Sequence, residues 1–171
     1  MFLLLIGLND FMNKVIAGFL FIVTFASSIS AQIKEARIID KFGNVSCDDY
    51  LSRMDNFWSN LNNSPNAKGY IFIYEGKLAT GNYDKKGKYV GNKYISPKIG
   101  EAKERIKTMK TRLELSKYSL EKITFIEAGF RDKYAVEFWV VPDDVIPPKP
   151  SPTLDKIKFR KGKPQNFCSG F

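Results

Sequence analysis

Lys68-Gly69-Tyr70-Ile71-Phe72-Ile73-Tyr74-Glu75 is a near-continuous run of aromatic and β-branched residues. A strand with apolar side chains on both of its faces belongs in the middle of a sheet, covered above and below. The segments around it supply that cover. On the N-terminal side, Ala36 to Phe42 reads as a short strand with Ile38 and Ile39 as its apolar part, and Gly43-Asn44 as the turn after it. Ser46 then has the chemistry of a helix N-cap, and Asp48 and Asp49 sit where the helix dipole favours negative charge. Tyr50, Met54, Phe57, Trp58 and Leu61 recur at helical spacing, so the helix runs to about Asn62, where Asn62-Asn63-Ser64-Pro65-Asn66 stops it.

On the C-terminal side, Gly76 to Pro97 is rich in Gly, Lys, Asn and Tyr and poor in apolar residues. It reads as a long exposed loop, at most a weak hairpin. Ile99, Ala102, Ile106, Met109 and Leu113 form an amphipathic stripe, which predicts a second helix from Ile99 to about Ser116 with Arg105 and Arg112 on its flanks. Lys122 to Glu127 is a third strand, Ala128-Gly129 starts a turn, and Lys133 to Val141 is a fourth strand. The closeness of the last two makes them antiparallel neighbours. The order β-α-β-α-β-β and right-handed crossovers give an α+β, two-layer sandwich with two helices on one face of a mixed four-stranded sheet. The opposite face needs cover, for which the C-terminal segment is the candidate.

The ends of the chain have a different character. Lys14 followed by apolar Val15 to Ala26 and then Ser-Ser-Ile-Ser-Ala has the three-part layout of a secretory signal, so residues 1–31 are expected to be removed on export. Met12 opens that pattern more cleanly than Met1 and is the better candidate for the true start. The apolar stretch is too short to span a bilayer, so no transmembrane span is expected in the mature form. Residues 32–142 carry the α/β domain, and 143–171 form a proline-rich basic tail that opens with the extended Ile146-Pro-Pro-Lys-Pro-Ser-Pro152.

Composition narrows the chemistry. The chain has 171 residues, a net charge of +9 and no histidine. Without histidine there is no Ser-His-Asp or Cys-His catalysis and no imidazole zinc site, and the carboxylates Glu127, Asp132, Glu137, Asp143 and Asp144 show no spacing that a glycosidase requires. Glu137 and Trp139, on the same side of one strand, either line a groove or form a surface ladder, and the ladder is the simpler reading. The expectation is a protein that is not an enzyme and has no metal and no cofactor. The two cysteines, Cys47 and Cys168, suggest a disulfide in an exported protein, the alternatives being two free thiols or a bond to another chain. The positive charge favours acidic partners outside the cytoplasm, or serves solubility alone.

Arg105-Ile-Lys-Thr-Met-Lys-Thr-Arg-Leu113, the connection Ser116 to Ile123, the Ala128-Gly129-Phe130-Arg131 turn and the strand Ala135-Val-Glu-Phe-Trp139 together resemble the OmpA-like peptidoglycan-associating domain. The resemblance spans roughly residues 36–142. It implies a non-enzymatic domain that grips peptidoglycan, in which an arginine of the second helix holds the peptide stem; only Arg105 carries over by position.

The candidate ligand-binding residues are Arg105, Lys98, Tyr83, Tyr89 and Arg131. Arg105 either clamps a carboxylate or is a solvated helix-flank residue paired with Glu101. The loop Lys77 to Lys93 interleaves five lysines with Tyr83 and Tyr89, with Tyr94 next; such loops hold sugars or nucleic acid, or are merely solvated. Nucleic acid is not the expected partner outside the cell. Two functional expectations follow: an exported, periplasmic or secreted envelope-binding module for peptidoglycan or another acidic wall polymer, and a secreted interaction scaffold whose basic loop and proline-rich tail engage another envelope protein.

Overall fold

A computed structural model describes residues 35–164 and Cys168. The secretory segment read at 1–31 lies outside the described residues. The chain is α+β, in the order β1 (Arg37–Phe42), α1 (Cys47–Asn62), β2 (Ala67–Tyr83), β3 (Tyr89–Ile95), α2 (Glu101–Leu115), β4 (Ile123–Lys133) and β5 (Ala135–Pro142). The sheet has five strands where four were expected, with neighbours β1-β5-β2-β3 and β4 joined to β2. It is mixed: β4 runs parallel to β2, and the other pairings are antiparallel.

β2 is the central strand. Ile71 and Ile73 join one buried cluster, which also contains Phe57 and Leu61 of α1, Met109 and Leu113 of α2, and Val136 and Phe138 of β5. Phe72 and Tyr74 point the other way, into a second cluster with Ala128, Trp139 and Tyr70. The period-two alternation of a strand thus splits four consecutive large residues between two cores. Gly69 lets α1 come close, because a Cβ there would stand 2.6 Å from the Phe57 ring.

The helices begin for different reasons. Ser46 has extended backbone and its Oγ accepts the Asp49 N–H at 3.3 Å, so α1 carries its own cap. α2 has Gly100 at its N-cap, in the left-handed region at φ 82°, with no side-chain cap of its own. Its first N–H groups are met from elsewhere: Glu75 Oε1, on β2, accepts from Ala102 N at 3.0 Å. This late start leaves Ile99 ahead of the helix and exposed, although the stripe had included it.

Two connections differ from expectation. The segment Gly76 to Pro97, read as a long exposed loop with a weak hairpin as the alternative, takes the hairpin form: β2 continues to Tyr83, turns at Asp84–Lys88 and returns as β3, pairing Leu78 with Ile95 and Thr80 with Lys93. The ladder satisfies backbone groups that water would otherwise serve, so it needs little apolar content. The last two strands, expected side by side, lie on opposite sides of β2. Between them the chain crosses β2 at Gly76, where a Cβ would collide with the Lys133 and Tyr134 backbone, and Tyr134 N donates to Lys77 O at 3.0 Å. Ala128-Gly129, expected to turn, is an irregularity inside β4, with Gly129 at φ 89° and the β2 register shifting between Ile73 and Glu75.

The C-terminal segment lies on the second cluster. Ser151 N donates to the Tyr74 hydroxyl at 3.1 Å, Thr153 and Leu154 donate to Phe130 O at 2.9 and 3.1 Å, and Arg160 N donates to Pro97 O at 2.9 Å. Its end is tied to the start of α1 by the disulfide Cys47–Cys168. Among the described residues no helix is long and apolar enough to cross a membrane.

Candidate functional site

Arg105 projects from the first half of α2 into the space between the helix and Tyr134. It is 5% exposed. Its Nη2 donates to Asn44 Oδ1 at 3.1 Å and stands 3.9 Å from Glu101 Oε1, and its guanidinium carbon lies 4.2 Å from the centre of the Tyr134 ring. Burial pushes the hydroxyls of Tyr50 and Tyr134 above the ordinary tyrosine range, and the Arg105 charge works against that rise. The reading of Arg105 as a solvated helix-flank residue is therefore corrected: it is buried among Asn44, Glu101 and Tyr134. Residue 105 lies three after Ala102 and four before Met109, inside the buried stripe rather than beside it. Asn44 passes the connection on: its Nδ2 donates to Ala79 O at 2.9 Å, at the base of the β2–β3 hairpin. Through Asn44, Arg105 is thus linked to the base of that hairpin.

Lys98 is tied to the start of α2 through its backbone. Its N–H donates to Glu101 Oε2 at 2.8 Å, and its backbone forms a parallel β-bridge with Arg160 of the C-terminal segment.

Arg131 lies in the other cluster. Its Nη1 donates to Glu137 Oε1 at 2.8 Å, its guanidinium carbon is 3.4 Å from the centre of the Tyr74 ring, and its Nε and Nη2 reach the Ser151 carbonyl and hydroxyl at 3.2 and 2.8 Å. Glu137, expected on a surface ladder, is 5% exposed. Its carboxylate also receives Trp139 Nε1 at 3.4 Å and the Tyr74 hydroxyl at 3.3 Å, and Lys41 Nζ stands 3.3 Å away. Burial alone would raise the Glu137 carboxyl, but the hydrogen bonds and charge of Arg131, with Lys41 and Trp139, hold it below the usual range. Arg131 and Glu137 thus fasten the C-terminal segment to the sheet.

The hairpin is where the expected residues gather at the surface. Tyr83 and Tyr89 face each other across its end, ring centres 5.8 Å apart and edge to face. Asp84 Oδ1 accepts Lys86 N and Lys88 N at 2.8 and 2.9 Å, and Gly87 takes φ 78°, so the turn presents Lys85, Lys86 and Lys88 outward. Tyr89 donates its hydroxyl to Asn92 Oδ1 at 2.8 Å. Tyr94 is capped by Lys133 Nζ, 4.9 Å from its ring centre. Lys133 escaped the sequence reading, because only the crossing at Gly76 brings β4 to this place. Tyr83, Tyr89, Val90 and Tyr94 are all exposed. A projecting two-stranded ribbon with exposed aromatics among lysines can engage an anionic, partly apolar partner.

Among the described residues no group of three His, Cys, Asp or Glu side chains is placed to hold a metal ion. No family model matches the sequence, and no curated protein or solved structure matches it either.

Proposed function

We propose that the chain is an exported, non-enzymatic binding module that holds an acidic polymer of the cell envelope, peptidoglycan foremost, through the β2–β3 hairpin. The observation that carries this reading is the exposure of Tyr83, Tyr89 and Tyr94 on one ribbon with Lys85, Lys86, Lys88 and Lys93. A net charge of +9 works in the same direction, drawing anionic polymers to the surface before any contact forms. The signal-like start and the disulfide fit an oxidising compartment outside the cytoplasm. The resemblance to the OmpA-like domain supports the ligand class. In this reading Arg105 no longer grips the peptide stem but supports the hairpin through Asn44.

The competing reading, a secreted scaffold that engages another protein through its basic loop and proline-rich tail, keeps the loop but has less of the tail to offer, because the described part of that tail is bonded to Tyr74, Phe130, Arg131 and Pro97. The test is co-sedimentation of the purified protein with isolated peptidoglycan at low and moderate salt. The expected result is that wild type pellets, that salt weakens it, and that Lys85→Gln/Lys86→Gln/Lys88→Gln stays in the supernatant. Equal pelleting of that variant and wild type would remove the hairpin from the function.

A further inference from the structure

Tyr83 does not stand out from its strand. The three atoms nearest to a Cβ built on Gly81 are Tyr83 Cε2, Oη and Cζ, at 2.7, 3.0 and 3.1 Å. The outer half of the ring therefore lies across the glycine backbone, in space that any other residue at 81 would fill. Tyr83 as a whole nevertheless remains 63% exposed, so the side of the residue turned away from the ribbon is open to solvent. Tyr89 closes one end of this seat, its ring inclined at 68° to that of Tyr83. Lys85, Lys86 and Lys88 follow in the adjoining turn. Tyr94, under Lys133, lies farther along the same hairpin, paired with Ala79, and Tyr83 is four residues beyond Ala79 on β2. Such a stretch of strand spans about 13 Å.

We infer that Tyr83, seated on Gly81, is a stacking platform for a sugar ring, and that the polymer held by the hairpin is an acidic glycan rather than a polyanion of any other kind. This inference rests on the function proposed above and names its ligand class. The face of a pyranose carries axial C–H groups of partial positive charge, which meet the negative face of an aromatic ring; a wall at an angle to the platform then fixes the sugar's position. Carboxylates or phosphates on the glycan meet the lysines of the turn. A polyanion without sugar rings satisfies the lysines but leaves the platform unused. The site is also prebuilt, because the glycine seat and the Tyr89 contact hold the ring before any ligand arrives, which lowers the ordering cost of binding.

The experiment compares polygalacturonate, a glycan bearing carboxylates, with polyglutamate, which bears carboxylates and no sugar. Affinities are measured by titration calorimetry at one moderate salt concentration. Wild type is expected to bind polygalacturonate more tightly than polyglutamate. Tyr83→Ala weakens polygalacturonate binding about tenfold and changes polyglutamate binding by less than about twofold. Tyr83→Phe retains the glycan affinity. Gly81→Val, which lifts the ring without removing it, behaves like Tyr83→Ala. Thermal melting confirms that each variant is folded, which the exposure of Tyr83 favours. The inference is overturned if Tyr83→Ala weakens both polymers equally or neither. In that case, loss of both polymers in Lys85→Gln/Lys86→Gln/Lys88→Gln leaves the acidic-polymer reading standing without the platform. If wild type binds neither polymer, this inference falls; the proposed function falls with it only if wild type also fails to pellet with peptidoglycan.

Discussion

Arg105 and Glu137 show how single residues in this chain took roles opposite to their apparent ones. Each looked like a surface charge and each is buried with partners. Arg105→Ala would strip Glu101 of its neighbour and leave a space over Tyr134. Unfolding in urea should show a loss of about 3 kcal/mol. Arg105→Lys recovers only part of it, because an ammonium cannot both stack on the ring and reach Asn44. Glu137 makes a pH prediction. Its folded value lies below that of an unfolded glutamate, so its stabilisation is complete above the unfolded value and is lost as pH falls through the folded one. Glu137→Gln should cost about 2 kcal/mol at pH 7, and the gap to wild type should narrow as pH drops below about 4. Glu75 has the opposite sign. Burial raises its carboxyl, Glu127 and Glu101 add to the rise, and the Ala102 N–H opposes it. The folded chain therefore holds its proton more tightly, and Glu75 costs stability at neutral pH that returns as pH falls through its folded value. Glu75→Gln keeps an oxygen for Ala102 N and should be more stable than wild type at pH 7 in the same urea titration.

Among the elements, the crossing over β2 constrains the chain most. Gly76 allows two backbone segments to touch where β4 passes to the far side of β2 and returns as β5. Gly76→Ala places a methyl group against backbone rather than against a side chain that can swing aside. The expected loss is about 4 kcal/mol or more, seen as a collapse of soluble yield or of the urea midpoint. The C-terminal segment is held more diffusely, by Arg131, Tyr74, Phe130 and Pro97, and then by Cys168. The disulfide closes a loop with a sequence separation of 121. Cys168→Ser should lower stability by about 5 kcal/mol in the chain-entropy account. Adding reductant to the wild type should bring it to the same level, whereas an unchanged midpoint would mean that the noncovalent anchors alone hold the segment.

At the scale of the molecule, charge and shape divide the surface by role. The large residues of β2 are divided between two cores, one that includes Phe57, Leu61, Met109 and Leu113 of the helices and one around Phe72 and Tyr74, where Ser151 is bonded. What projects is the basic, aromatic hairpin, braced at its base by Asn44 and through it by Arg105. Binding to an acidic polymer should weaken steeply with salt, because the lysines of the turn are exposed to screening. The part of the affinity that survives moderate salt should be the part that Tyr83→Ala removes.

The amino-acid sequence by itself determined the elements whose signal is local. Ser46, the two following aspartates and the Tyr50–Leu61 spacing specify α1, and the Tyr70–Tyr74 run specifies a strand covered on both faces, because helical and strand periods act within a few residues. The α+β class and the candidate disulfide partners were equally legible. Tertiary structure alone decided the rest. The hairpin from Lys77 was legible only as a weak alternative to a loop, because a polar ribbon is stabilised by its ladder rather than by an apolar pattern. The placement of β4 and β5 on either side of β2 depends on a single glycine meeting a backbone 57 residues away in sequence. Arg105 and Glu137 became interior groups only because Asn44, Tyr134, Arg131 and Tyr74 arrive from other strands and loops to receive them; a charge enters a protein core when distant partners meet it there, and no local pattern records those partners.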